Sequence, residues 1–225
     1  MEPIKIVVGF DQREAIAYHV FCQSVLEKAS QPVCFLPLAL NSLAGYRETH
    51  GDGSNTFIYS RFLTPHLNHF SGWAIFADGD MVCTDDIKNL WSLRNESKAA
   101  LVVKHEYASK ASIKYLGNKN ENYPRKNWSS VILWNCAHPK NRVLTPDFIS
   151  TQTGAFLHRF SWLDDSDIGE LPIEWNWLTT EYDDNYKAKL LHYTLGTPCF
   201  KDYTGSPMSD IWHQHHRRVN EGVDV

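Results

Sequence analysis

The stretch WAIFADGDMVCTDDI, residues 73–87, decides how the rest of the chain is read. The segment GWAIFAD (72–78) is almost unbroken in apolar and small residues, as expected of a strand covered on both faces in a largely parallel sheet. It ends on Asp78, Gly79 and Asp80. Two carboxylates held so close repel each other, so either a cation sits between them or the pair is solvated in a turn, which Asp and Gly both favour. A helix is predicted to follow, capped by Thr84 and burying Ile87, Leu90 and Trp91. The acid pair therefore stands at the carboxyl end of a strand.

Upstream, IKIVVGF (4–10) is a short β-branched run that reads as a second fully buried strand. DQREAIAYHVFCQSVLEKAS (11–30) follows with Asp11 and Glu14 in capping-box spacing, and Ala17, Val20, Phe21 and Val25 fall on one helical face. VCFLPLAL (33–40) returns as a strand. Strand, helix, strand is the unit of a parallel α/β sheet, whose ligand crevice lies at the carboxyl ends of the strands, and Asp11 is at such an end. A turn-rich loop (41–57) leads to IYSRFLTPHLNHF (58–70), a helix expected to bend near Pro65.

Downstream, AALVVKH (99–105) and WSSVILWN (128–135) are further strands, with a Lys/Asn-rich loop (108–127) between them expected to cover one sheet edge. One helix is predicted through DFISTQTGAFLHRF (147–160) and a last strand in KAKLLHYT (187–194). There is no internal repeat or linker, so residues 1–225 are read as one α/β domain.

Composition agrees with that. Hydrophobic residues make up 43% and charged residues 21%, which excludes a disordered or fibrous chain. A net charge of -4 without a long basic run lacks the footprint of a nucleic-acid binder. The N-terminal apolar run is too short for a signal core or a transmembrane span, so the expected location is the cytoplasm, or the membrane periphery. Cys22, Cys34, Cys83, Cys136 and Cys199 are scattered and odd in number, and are read as reduced core thiols.

An Asp-x-Asp at the end of a buried strand suits a hard divalent cation, because carboxylates bind Mg²⁺ or Mn²⁺ and leave positions open for phosphate oxygens. Four segments in order, IVVGFDQRE, YSRFLTPHL, IFADGDMVCTDDI and LLHYTLGTP, with NWSSVILWN between the last two, resemble glycosyltransferase family 8 and its GT-A-fold relatives. The resemblance implies a single GT-A domain with a mixed, mostly parallel sheet flanked by helices. It further implies a retaining enzyme that takes a sugar from a nucleoside-diphosphate donor, UDP favoured, and gives it to a glycan, lipid-linked or protein acceptor. By it, Asp78, Asp80 and His192 are the metal ligands, with Mn²⁺ (or Mg²⁺) as cofactor. Gly9, Asp11, Arg13, Arg61, Asp78, Gly79, Ser130, Gly196 and Lys201 would contact the nucleotide sugar.

The chain departs from the family pattern at several points. Thr197 stands where the family has a lysine for the diphosphate, so Lys201, an arginine or the metal would neutralise that group. Gly196 follows His192 by four residues rather than three, and Ser130 replaces a strand glycine. The acidic segment near the donor sugar has no clean counterpart; Gln152 and Thr153 are its nearest equivalents as catalytic residues. Trp175 and Trp177 could stack on an acceptor sugar or belong to the core. WHQHHRR (212–218) reads as a solvated tail. Two other readings remain open: a haloacid-dehalogenase-type phosphatase with Asp78 as nucleophile and Asp80 as acid/base, and a non-catalytic nucleotide-sugar or glycan-binding module.

Overall fold

Side chains alternate along β3 (Trp73–Ala77), and both sets find a core. Ala74 and Phe76 join Val7, Trp134 and Ile132 on one face, while Trp73, Ile75 and Ala77 join Ile6, Leu133 and Val131 on the other. A strand buried on both faces must lie inside a sheet covered on both sides, and that is where the computed structural model places it. The structure describes residues 2–51, 53, 55–120 and 122–221.

The order of elements is β1 (Ile4–Gly9), α1 (Ala15–Lys28), β2 (Val33–Leu38), α2 (Thr64–Leu67), β3, β4 (Met81–Cys83), α3 (Ile87–Trp91), β5 (Ala100–Val102), β6 (Val131–Asn135), α4 (Pro146–Thr151), α5 (Gly154–His158), β7 (Ile168–Glu170), β8 (Trp177–Leu178), β9 (Leu190–His192) and α6 (Ser209–Glu221). Six strands form the central sheet in the order β2-β1-β3-β6-β5-β7, and β6 alone runs against the others. β4, β9 and β8 form a second, three-stranded sheet. The fold is a single α/β domain with a mixed, mostly parallel sheet flanked by helices. From β1 the chain crosses through α1 to β2 on one side, and the next strand, β3, lies on the other. The carboxyl ends of β1 and β3 therefore flank the point where the strand order reverses, which is where open α/β sheets bind ligands.

Several sequence expectations change in detail. Asp86, not Thr84, caps α3, accepting from the Lys88 amide at 3.0 Å, because Thr84 turns its hydroxyl to the Ala188 carbonyl. Pro65 sits in the first turn of α2, where its missing N–H costs nothing, so it starts the helix rather than bending one. The helix predicted over 147–160 breaks at Gln152, whose extended backbone (φ -88°, ψ 154°) separates α4 from α5. Within the 108–127 loop, the Tyr115 amide bonds the Leu195 carbonyl and its ring stacks on Phe200, which ties the loop to the segment that follows β9.

The WHQHHRR stretch is not a tail. It forms α6, which buries Trp212 and sets His215 and Arg218 against Glu27 of α1. Trp175 is core rather than a sugar platform. Of the cysteines, all free, only Cys83 and Cys136 are fully buried. Among the described residues no helix is long and apolar enough to cross a membrane.

Candidate active site

The β3 ladder with β6 ends at Ala77 opposite Val131 and is extended by one bond, from the Asp78 amide to the Ser130 carbonyl (2.9 Å). Asp78 is thus fixed as if still in the sheet. Gly79 then turns the chain against β1, where a Cβ would come within 2.4 Å of the Gly9 carbonyl oxygen. Beyond it β4 pairs antiparallel with β9, Met81 opposite His192, and the Tyr193 amide bonds the Asp80 carbonyl at 3.1 Å. That register brings His192 to the acid pair. His192 Nε2 lies 3.3 Å from Asp80 Oδ1 and 4.0 Å from Asp78 Oδ2. One ligand atom from each of the three residues falls within 4.8 Å of the others.

A closed set of hydrogen bonds fixes the imidazole. Ser130 Oγ donates to the Asn127 carbonyl (2.7 Å), so it must accept from Asn176 Nδ2 (2.8 Å), whose other proton goes to the Asn127 carbonyl (3.1 Å). Both amide protons of Asn176 are then used, and its Oδ1 accepts from His192 Nδ1 at 2.9 Å. In the neutral ring Nε2 consequently keeps its lone pair, aimed at two carboxylates. Asp80 Oδ1 is buried without a hydrogen-bond donor among the described residues. Three electron-pair donors converging in a buried space fit a divalent cation, and the oxygen and nitrogen set suits Mn²⁺ or Mg²⁺.

Arg61 offsets the acids from the other side. It is 4% exposed, packed over the rings of Phe57 and Phe76, and its Nη1 meets Asp78 Oδ1 at 2.8 Å. Nε and Nη1 also donate to the Ile58 and Ser129 carbonyls, which fixes the guanidinium in place. Burial, reinforced by Asp80, pushes the Asp78 carboxyl up to about 6 despite Arg61. Burial pushes Asp80 up too, but His192, Lys114 and Arg61 outweigh it and hold that carboxyl below its usual range.

Of the other residues expected at the site, Arg61 and Ser130 line the same cleft as Asp78, Asp80 and His192. Gly9, Asp11, Arg13, Gly196, Lys201, Gln152 and Thr153 do not. Phe57 covers Gly9. Asp11 is bound by the Arg13 side chain (3.0 and 2.5 Å) and by the Thr56 amide (3.1 Å). Gly196, at φ +153°, forms a turn that only glycine adopts easily. Thr197, in the family lysine's place, is buried with its hydroxyl on Glu14, and Lys201 is exposed in a short 3-10 turn. Thr153 caps α5 by accepting from the Phe156 amide, and Gln152 holds His50 through its carbonyl.

The cleft also contains residues that the sequence reading overlooked: Lys114, Tyr115, Asn127, His158 and Thr194. Lys114 is the important one. Its ammonium makes no hydrogen bond or ion pair among the described residues; burial lowers its pKa, while Asp80 and Asp78 draw it back up. Only the cation-rich composition of the 108–127 loop signalled it.

No protein-family model matches the chain. Among solved structures, WbbM, described as a bifunctional glycosyltransferase, superposes with a TM-score of 0.68 at 16% identity, covering 95% of this chain and 49% of its own. The apo glycosyltransferase GlyE of Streptococcus pneumoniae TIGR4 gives 0.63 at 11% identity over 96% and 60%. The chain thus spans less than two thirds of either protein. The galactosyltransferase LgtC, solved with donor and acceptor sugar analogues, gives 0.62 at 12% identity and covers 98% of both chains. At such identities the likeness is one of fold, the GT-A glycosyltransferase fold. A sequence relative carries the match further: at 41% identity over 98% of this chain and 88% of the relative, the protein belongs to the family of Protein CDI of Arabidopsis thaliana.

Proposed function

We propose that this protein is a metal-dependent glycosyltransferase that moves a sugar, with retention, from a nucleoside-diphosphate donor, UDP favoured, to a hydroxyl acceptor. The observation that carries the reading is the convergence of Asp78, Asp80 and His192 at the switch point of a GT-A sheet. Those three residues would hold Mn²⁺ or Mg²⁺, which would supply Lewis-acid stabilisation for a departing diphosphate.

The protein's own charges complete the balance. The two carboxylates offset the ion, and Arg61 and Lys114 remain to meet the roughly two negative charges of the diphosphate. Lys114 thereby takes the part of the lysine that Thr197 replaces. Asn176 and Ser130 orient His192, and Arg61 orients Asp78.

Asp78 and Asp80 are the only carboxylates lining the cleft among the described residues, and both would be committed to the metal, which supports a front-face displacement without a protein nucleophile. The acceptor oxygen bonds to the anomeric carbon on the face from which the diphosphate leaves. The hydroxyl proton passes to a diphosphate oxygen, so the configuration is kept. A phosphatase with Asp78 as nucleophile finds no support in this setting, because Arg61 and His192 already occupy the surroundings of that carboxylate.

Thermal stability measured with UDP, Mn²⁺ or both tests the reading. Stabilisation by UDP should require Mn²⁺ and vanish in Asp80→Ala, and hydrolysis of the matching UDP-sugar should separate an enzyme from an inert binding module. No effect of any nucleotide, or inversion at the product's anomeric carbon seen by NMR, would overturn the respective part.

A further inference from the structure

Beside the metal cleft opens a cavity of about 520 Å³, within the range of roughly 300–1,000 Å³ usual for small-molecule sites. The two spaces share Lys114, Ile58, Tyr123 and His158. Among the described residues the cavity's charge is one-sided: Lys114, Lys119, Lys126 and Arg159 line it and no described Asp or Glu does, in a chain of net charge -4.

Two of its walls are incomplete as they stand. Lys126 is 5% exposed, and among the described residues its ammonium hydrogen-bonds only neutral oxygens, Asn120 Oδ1 at 2.6 Å and Ser109 Oγ. Burial, with Lys114 nearby, lowers its pKa to about 8, against a smaller upward pull from Glu181. His158 is 9% exposed; its Nδ1 is bonded to Ser129 Oγ (2.7 Å) and its Nε2 has no hydrogen-bond partner among the described residues. A buried ammonium whose nearby carboxylate, Glu181, is not in direct contact with it is costly, and an anion bound against it reduces that cost.

We propose that this cavity binds an anionic acceptor, a sugar carrying a phosphate or carboxylate group. That group faces Lys119, Lys126 and Arg159, and the reacting hydroxyl faces the Asp78 and Asp80 end through the gap at Lys114 and His158. The role of acceptor rests on the glycosyl-transfer reading above; the anion preference rests on the cavity alone.

Calorimetric titration of the intact protein with glucose 6-phosphate, glucuronate, glucose and inorganic phosphate tests it, both without nucleotide and with saturating UDP and Mn²⁺. Glucose 6-phosphate and glucuronate should bind at least tenfold more tightly than glucose, and more weakly as salt rises. Lys126→Met should remove that tenfold, and Lys119→Met with Arg159→Met, two exposed positions, should reduce it in a variant that keeps the wild-type melting temperature. If Lys126→Met does not fold, the surface double variant decides alone.

Equal binding of glucose, or anion binding untouched by the variants, would overturn the proposal. So would inorganic phosphate binding as tightly as the sugar phosphate, or displacement of the sugar by UDP with Mn²⁺, which would make the cavity the diphosphate's own site. Absence of any Mn²⁺-dependent UDP stabilisation would instead sink the glycosyl-transfer reading while the sugar titrations remained decisive for the cavity.

Discussion

His192 donates its Nδ1 proton to Asn176 Oδ1 across 2.9 Å, and this bond determines which face of the imidazole the acid pair meets. Asn176→Leu leaves the ring unanchored and removes the acceptor that selects the tautomer. Mn²⁺ affinity, read by calorimetry, should fall about 10- to 100-fold, as is usual for lost outer partners of metal ligands. Ser130→Ala, which removes only the hydroxyl orienting Asn176, should have a smaller effect in the same direction.

Lys114 should be felt by the diphosphate and not by the nucleoside. Lys114→Met is expected to weaken Mn²⁺-dependent UDP binding by about tenfold or more, roughly 1.4 kcal/mol or above, and to leave uridine binding unchanged. Lys114→Arg, which keeps the charge, should recover part of the loss. Equal effects on UDP and uridine would place Lys114 elsewhere.

Gly79→Ala places a methyl 2.4 Å from a backbone oxygen of β1 that cannot swing away. The strand ends must separate, at an expected cost of about 1–3 kcal/mol, or a fall in melting temperature of roughly 2–4 °C per kcal/mol. The same change should weaken metal binding, because Asp78 and Asp80 flank the displaced residue.

Glu14 gives the pH dependence a definite sign. Its carboxyl is raised to about 8, first by burial and then by the charges of Asp80 and Asp11, so the folded state holds a proton that the unfolded chain releases near its ordinary value of 4.5. The native state binds the extra proton between those values, and stability contributed by the protonated form declines as pH rises through that window. In EDTA, the melting temperature should drop from pH 5 to pH 8 with a slope of at most about 1.4 kcal/mol per pH unit from this group. Glu14→Gln should flatten the profile and raise stability at pH 8.

His158 works in the opposite direction. Burial, with Arg61 and Lys114 close by, lowers its pKa to about 3 from an ordinary 6.5. The unfolded chain takes up this proton first, so stability is complete above pH 6.5 and is lost as pH falls toward 3. His158→Phe should lessen the acid sensitivity measured by denaturant unfolding between pH 6.5 and 4.

The sheet was legible because β1, β3 and β6 are buried on both faces, and that condition is written directly into runs such as IKIVVG and WAIFA. The acid pair was legible for the same reason, since polar residues that end such a run stand at its carboxyl end. Asn176 was not, because it ends a 3-10 turn while its partner His192 lies on β9, and a lone Asn between tryptophans carries no periodic signal. Lys114 was hidden in a loop whose path follows from the tertiary contacts of Tyr115 with Leu195 and Phe200, not from local pattern. Short elements misled most: a 3-10 turn at Trp128–Ser130 read as strand, and α4 and α5 read as one helix.

The pairing of β4 with β9 joins the two halves of the cation cluster through chain segments far apart in sequence. A nascent polypeptide that has not yet released β9 from the ribosome can complete the N-terminal β-α-β unit but has no third ligand to offer. Loop closure over that separation is slow relative to local helix and hairpin formation. An ion held by all three side chains would therefore be captured only after the C-terminal segment has docked, and would serve as a reporter that biosynthesis and folding have both finished.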